Sequence, residues 1–450
     1  MKRFLGVIVL FLGMVLLVGC TEKRANPTFR GVGTITLEVG DVFDAEYRVK
    51  ATDADGVDLT ADIVITENTV NTTAIGNYQV IYEVTDSKDK KTTVTRKVII
   101  TDDLFKDQKV VLITDIGNID DKSFNQGAYE GIVAFDKKYP ALDFAYLKPA
   151  EQTDAEYITA IEQAIQDGAT VIVTPGYLFN PAINVTQKEY PDVKFIILDG
   201  SPADVEGGTL EDNVYAVFYA EEQSGFLAGY AAVMDGYRHL GFMGGMAVPA
   251  VQRFGHGYVQ GAAVAAKELD LADNAITIEY LYTGGFEANP DVQAAATGLY
   301  NKGVEVIFAC GGAVGQSVMA AAEAHDGDKK VIGVDIDQSG DSDTVITSAT
   351  KNLSASVEQA LESIFVTKEW YYEFGGTTVS LKAEHDGVNL PMATSKFTTF
   401  TQAQYDSVFA KLVNKTITVN DKIGAFGDDG NAAKEFETDE VKVVVIPYGV

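Results

Sequence analysis

The sequence predicts two folds in series, a small antiparallel β-sandwich and then a larger doubly wound α/β domain, on three observations. Up to about Asp102, apolar residues alternate in short runs separated by Gly, Asn and Asp. From Lys109 onward, continuous Val/Ile/Leu runs alternate with helix-length amphipathic segments. Asp or Gly stands directly after several of those runs, where α/β sheets hold ligands.

The chain opens with Lys2 and Arg3, an apolar run from Phe4 to Val18, and Gly19 before Cys20, the layout of a secretory signal peptide. An apolar stretch of about 15 residues is shorter than the roughly 20 that a spanning helix needs, so residues 1–19 are expected to direct export and then be removed. Leu17-Val18-Gly19-Cys20 resembles the lipobox of bacterial lipoproteins, which implies a lipidated Cys20, a tether over residues 20–30 and an extracytoplasmic, membrane-anchored protein. With Cys20 acylated, Cys310 has no partner within the chain and no disulfide supports the fold. Stability then rests on buried cores, and the roughly 430 remaining residues suffice for two or three domains. A formal net charge of −30 excludes nucleic acid and anionic lipid surfaces as partners, because phosphate contacts need clustered Lys and Arg.

Residues 31–103 carry the sandwich signal, with alternating runs at 34–39, 63–65, 78–84 and 92–100. In the third run Tyr78, Val80, Tyr82 and Val84 share one face and are expected to form its core side. The absence of a Cys pair or a Trp excludes an antibody-type core. The stretch Gly76-Asn77-Tyr78-Gln79-Val80-Ile81-Tyr82-Glu83-Val84-Thr85-Asp86, followed by Val98-Ile99-Ile100, resembles bacterial immunoglobulin-like repeats. That resemblance implies a spacer, with carbohydrate or protein binding as the alternative.

Residues 104–450 carry the α/β signal. Apolar runs at 110–113, 170–173, 193–198, 304–309 and 330–334 read as parallel strands covered on both faces, and helix candidates lie at 124–139 and between the paired runs. After the first strand comes Asp115-Ile116-Gly117-Asn118-Ile119-Asp120-Asp121-Lys122-Ser123-Phe124-Asn125-Gln126, a loop rich in donors and acceptors at a helix start. Its plainer reading is a Ser123 cap with turn acids facing solvent. Asp199-Gly200, Gly311-Gly312 and Asp335-Ile336-Asp337-Gln338 follow other strands, and this recurrence points to a binding cleft.

That loop, together with Phe195-Ile196-Ile197-Leu198-Asp199, Gln252-Arg253-Phe254-Gly255-His256-Gly257-Tyr258, Val331-Ile332-Gly333-Val334-Asp335-Ile336-Asp337-Gln338 and Thr347-Ser348-Ala349-Thr350-Lys351, resembles the basic membrane protein family of substrate-binding lipoproteins. The resemblance runs from about Lys109 to the end. It implies a type I periplasmic-binding-protein fold of two doubly wound lobes, preceded here by the immunoglobulin-like sandwich. The implied partners are a nucleoside, purine first, an ABC permease and the membrane through the lipid anchor, and the chain is expected to act as a monomer.

The resemblance further implies that Phe124 and Phe254 sandwich a nucleobase, one from each lobe. Asp115, Asn125 and Asp199 would contact base or ribose from the amino-terminal lobe, and Gly311, Asp335 and Lys351 from the other side. Aromatic faces stack on a base for about 1 to 3 kcal/mol, carboxylates accept from ribose hydroxyls, and Lys351 can balance a buried Asp. Phe124, Phe254 and Asp335 are expected to line an open cleft rather than the lobe cores. The sandwich is not part of the family pattern, and the Gly255-His256-Gly257 run is expected to loosen the loop beside Phe254, which leaves riboflavin or another solute as an alternative ligand.

Enzymatic chemistry finds little support. There is no Gly-X-Ser-X-Gly elbow, His239, His256, His325 and His385 are scattered, no metal spacing occurs and no phosphate-cradling loop ends in Gly-Lys-Ser or Gly-Lys-Thr. No cofactor is expected. A ligand-sensing or adhesive surface lipoprotein and a nucleoside hydrolase are the readings of other classes.

Overall fold

The computed structural model describes residues 25–115 and 117–448. The expected signal peptide, the lipobox-like stretch and Cys20 lie outside these residues.

The sandwich is built from β1 (Thr28–Arg30), β2 (Ile35–Glu38), β3 (Lys50–Thr52), β4 (Val64–Asn68), β5 (Gly76–Thr85) and β6 (Lys91–Thr101). β1 pairs with β3, and the larger sheet has the order β2-β6-β5-β4. Val80, Tyr82 and Val84 of β5 are buried with Tyr78 partly so, as the alternation predicts; Val80 and Tyr82 pack with Leu37, Val49, Val98 and Ile100, and Val84 packs with Ala51 and Leu59. One expectation fails: β2 runs parallel to β6, so the sheet is not wholly antiparallel. A period of two says which face a residue takes, and it says nothing of strand direction.

The α/β region repeats one topology twice. Its first lobe contains β7 (Lys109–Ile113), α1 (Phe124–Lys138), β8 (Asp143–Leu147), α2 (Asp154–Gln166), β9 (Val171–Pro175), α3 (Asn180–Glu189), β10 (Lys194–Leu198) and β11 (Val214–Tyr219). Helix α4 (Glu221–Met234) leads into the second lobe, with β12 (His239–Gly244), α5 (Pro249–Glu268), β13 (Ile276–Tyr282), α6 (Pro290–Asn301), β14 (Val306–Cys310), α7 (Val314–Glu323), β15 (Lys330–Asp335) and β16 (Val345–Lys351). The chain returns through α8 (Leu353–Phe365) to β17 (Thr377–Leu381), then crosses back to β18 (Val388–Asn389), α9 (Gln402–Val413) and β19 (Val441–Val445). The first sheet has the order β8-β7-β9-β10-β11-β17 and the second β19-β13-β12-β14-β15-β16-β18, all parallel except β18. The first strand of each lobe therefore lies between its second and third, and that switch point is where such sheets leave a crevice.

The strands read as unbroken apolar runs because both faces are covered. Along β10, Ile196 and Leu198 point into the core shared by the two lobes, while Phe195 and Ile197 point into a separate outer core. β14 divides likewise, with Val306, Phe308 and Cys310 inward and Ile307 and Ala309 outward.

The Gly255-His256-Gly257 run is helical and lies inside α5, which corrects the expectation of a loosened loop. Glycine there serves packing, since a Cβ on Gly257 would stand 2.1 Å from the Glu222 carbonyl oxygen and one on Gly261 1.9 Å from that of Phe226. Gly225 and Gly229 make the reciprocal approach from α4. Backbone contact at this distance offsets the helix penalty of glycine, about 1 kcal/mol each.

Candidate functional site

A cavity of about 840 Å³ lies between the carboxyl ends of the two sheets. All eight expected residues line it: Asp115, Phe124, Asn125 and Asp199 from the first lobe, and Phe254, Gly311, Asp335 and Lys351 from the second.

Lys351 is its electrostatic centre. As the last residue of β16 it is buried where the chain leaves the second sheet, with Nζ 2.5 Å from Asp199, 3.2 Å from Glu221 and 3.7 Å from Asp335. Glu221 also holds Arg253 at 2.6 Å. The group thus contains two cations and three carboxylates, not the single Lys–Asp balance expected. Asp199 directly follows β10 and Asp335 ends β15, the equivalent strand of the repeated topology, and both adopt left-handed backbone conformations, with φ of 54° and 67°. Such a conformation is uncommon outside glycine and is held where the surroundings fix it.

Burial pushes the Asp199 carboxyl up to about 7, and Glu221 and Asp335 push in the same direction against Lys351. Burial also raises Asp335, against Lys351 and the Ser123 hydroxyl. Burial works against the Lys351 charge, but the three carboxylates overcome it and hold the ammonium protonated well above its usual range. Burial likewise disfavours the Glu221 charge, but Arg253 and Lys351 together keep that carboxyl below its usual range. The excess of acid over base, with Oδ1 of Asp199 buried and lacking a hydrogen-bond partner among the described residues, makes a site that attracts hydrogen-bond donors.

The aromatic walls differ. The Lys351 ammonium lies 4.8 Å from the Phe124 ring centre and 5.2 Å from that of Phe254, so rings from opposite lobes flank it. Phe124 is half-buried. Phe254 is only 2% exposed and packs edge-on against Phe308 at 5.9 Å, which corrects the expectation that it stands outside the lobe core. Asp335 is also buried, at 6% exposure.

Ser123 does not cap α1. Its hydroxyl donates to Asp335 across the lobes at 2.6 Å, while Asp121 accepts from the backbone N–H groups of Ser123, Asn125 and Gln126. The turn acid is therefore the cap, and the plainer reading of this loop is overturned. Asn125 donates its amide to Asp115 and Asp121, each at 2.9 Å, and so orients the Asp115 carboxylate. Gly311 gives a bare backbone wall, since a Cβ there would stand 2.7 Å from the Gly245 nitrogen.

Sequence reasoning missed Glu221 and Arg253. Glu221 stands two residues after β11 and opens α4, close to the strand-end position that marks Asp199 after β10. Arg253 adjoins Phe254 in a quoted motif, but its partner lies 32 residues away. Among the described residues no group of three His, Cys, Asp or Glu could hold a metal ion, and no helix is long and apolar enough to cross a membrane.

Residues 108–422 match the model of the family described as ABC transporter substrate-binding protein PnrA-like, and residues 27–100 match that of a bacterial surface protein Ig-like domain. The ABC transporter nucleoside-binding protein BmpA of Lactococcus lactis is 29% identical over 304 residues, 63% of this chain and 81% of that protein. Basic membrane protein B of Borreliella burgdorferi is 28% identical over 315 residues, 69% and 87% of the two chains. Among solved structures, an ABC transporter solute-binding protein from Conexibacter woesei aligns with a TM-score of 0.56 at 25% identity over 70% of this chain and 99% of that one. Another from Aeropyrum pernix aligns with a TM-score of 0.55 at 21% identity over 73% and 84%, a likeness of fold. The chain therefore belongs to the PnrA-like family of ABC transporter substrate-binding proteins and carries an amino-terminal Ig-like domain.

Proposed function

We propose that this protein captures a purine nucleoside between its lobes and delivers it to an ABC permease, held at the outer face of the cell membrane by lipid on Cys20. The observation that carries the ligand class is the pair Phe124 and Phe254, one from each lobe, near the Lys351 ammonium and the buried carboxylates gathered around it. A flat aromatic base suits the rings, and ribose hydroxyls suit the buried acceptors. Neither a free sugar nor an aliphatic solute would use both. The name of the Lactococcus relative, a nucleoside-binding protein, supports the same class.

Mass spectrometry of small molecules released from the purified protein by denaturation tests this reading. A purine nucleoside is the expected species, and a bound solute without an aromatic ring would overturn it. Intact mass of the mature chain tests the anchor, with a diacylated or triacylated Cys20 as the amino-terminal residue expected and an unmodified Cys20 contradicting it.

A further inference from the structure

Phe426 is 71% exposed, the most exposed Phe, Tyr or Trp ring among the described residues. It belongs to the segment between α9 and β19 and lies beyond the residues that match the family model. Its ring faces Tyr177 of the first lobe, with centres 6.5 Å apart and planes at 61°. Tyr177 and Ile423 both line the cavity. An aromatic pair between the lobes therefore stands at the cavity's edge, formed by one residue of the lining and one just outside it.

The segment that carries Phe426 is fastened along α5. Gln252, His256 and Gln260 recur every four residues and so share one face of that helix. Gln252 donates to the Ala425 carbonyl at 3.0 Å and accepts from the Gly424 N–H at 2.7 Å. His256 Nδ1 lies 2.9 Å from the Lys422 carbonyl, which can only accept, so this nitrogen carries the proton. Gln260 makes two bonds to the Asn420 backbone, at 2.9 and 2.8 Å. Three buried or half-buried polar side chains thus hold an otherwise irregular strand of chain and place Phe426 opposite Tyr177.

We propose that Phe426 and Tyr177 form an aromatic gate at the mouth of the cleft, which slows escape of a bound ligand. The proposal rests on the reading of this cavity as the ligand site. Because the partners belong to different lobes, the contact exists only while the lobes are closed, and its strength enters the release rate rather than the encounter rate.

Stopped-flow release of adenosine, guanosine or inosine from the full chain tests the gate. Phe426→Ala should speed release about two- to tenfold with association nearly unchanged, and Phe426→Tyr should restore slow release. Gln260→Ala, remote from the cavity lining, should act in the same direction but more weakly. Release unchanged by Phe426→Ala, or equally fast in the Ala and Tyr variants, would overturn the proposal. If the parent chain binds none of the three nucleosides, the ligand reading fails instead. The gate is then judged by a Y177C/F426C variant treated with a short bis-maleimide, since the remaining described cysteine, Cys310, is buried. A bridged peptide supports the closed contact, and its absence overturns it.

Discussion

The two walls of the cleft present the same residue type in different settings. Phe124 stands half-buried at the start of α1, while Phe254 lies within α5 with its edge against Phe308. The first ring borders the shared core and the second lies inside it, so truncation at the first should open less of that core. The same residue type therefore divides its contribution differently between binding and folding according to its setting.

Lys351 comes from the second lobe but its ammonium lies near both rings, and its loss should have the largest effect. Lys351→Met would leave Asp199, Glu221 and Asp335 buried with Arg253 as the nearest remaining cation. Removing one partner of a buried pair costs about 3 to 5 kcal/mol, so chemical denaturation should show a loss of that order together with lost ligand binding. Unchanged stability would mean that the carboxylates are already neutral.

Phe254→Ala ranks next and sharpens the comparison of walls. It should destabilise by about 3 to 5 kcal/mol through the cavity it leaves and also remove a stacking face. Phe124→Ala should cost about 1 to 3 kcal/mol of nucleoside affinity, five- to a hundredfold, with under about 1 kcal/mol of stability. Equal stability losses in the two variants, read by denaturant unfolding, would erase the distinction.

Much of this geometry was legible in the sequence, and the part that was not has physical causes. β7, β10 and β14 announce themselves because both faces are buried, and Asp199 and Asp335 follow such runs directly. β17 is an edge strand with alternating partial burial, so its residues give no continuous apolar signal. Glycines of α5 resemble a loop until the backbone of α4 is set against them. Ser123 reads as a cap from local spacing, yet its acceptor is 212 residues away.

A smaller effect should come from pH. Burial, with Glu221 and Asp335 nearby, pushes the Asp199 carboxyl up to about 7. The folded chain thus binds this proton more tightly than the unfolded one, so the stabilising contribution is complete below the unfolded carboxylate range and is lost as pH rises towards 7. Ligand hydroxyls that donate to the ionised form reverse the sign for binding. Affinity for a nucleoside should rise about three- to tenfold between pH 6 and 8, and Asp199→Asn should flatten that rise. A flat profile in the parent chain would place the proton elsewhere.

The smallest effect on binding should come from removing the sandwich. Arg96 is buried there and donates to the Tyr372 hydroxyl at 2.7 Å, Arg48 pairs with Glu369 and Glu373, and Gly33 packs on the Tyr371 ring. These contacts attach the sandwich to residues 369–373, which are not among those lining the cleft cavity. A chain beginning at Leu104 should bind a nucleoside within about twofold of the mature protein while melting several degrees lower. Loss of binding would make the sandwich part of the site.

The measurement that bears most directly on a nucleoside held between the walls is titration calorimetry of the mature protein and its Phe124→Ala and Phe254→Ala variants with adenosine, guanosine, inosine, riboflavin and ribose. At least one purine nucleoside should bind far more tightly than ribose, and each substitution should weaken it. Ribose binding as tightly as the nucleosides, or nucleoside affinity indifferent to both rings, would contradict the account.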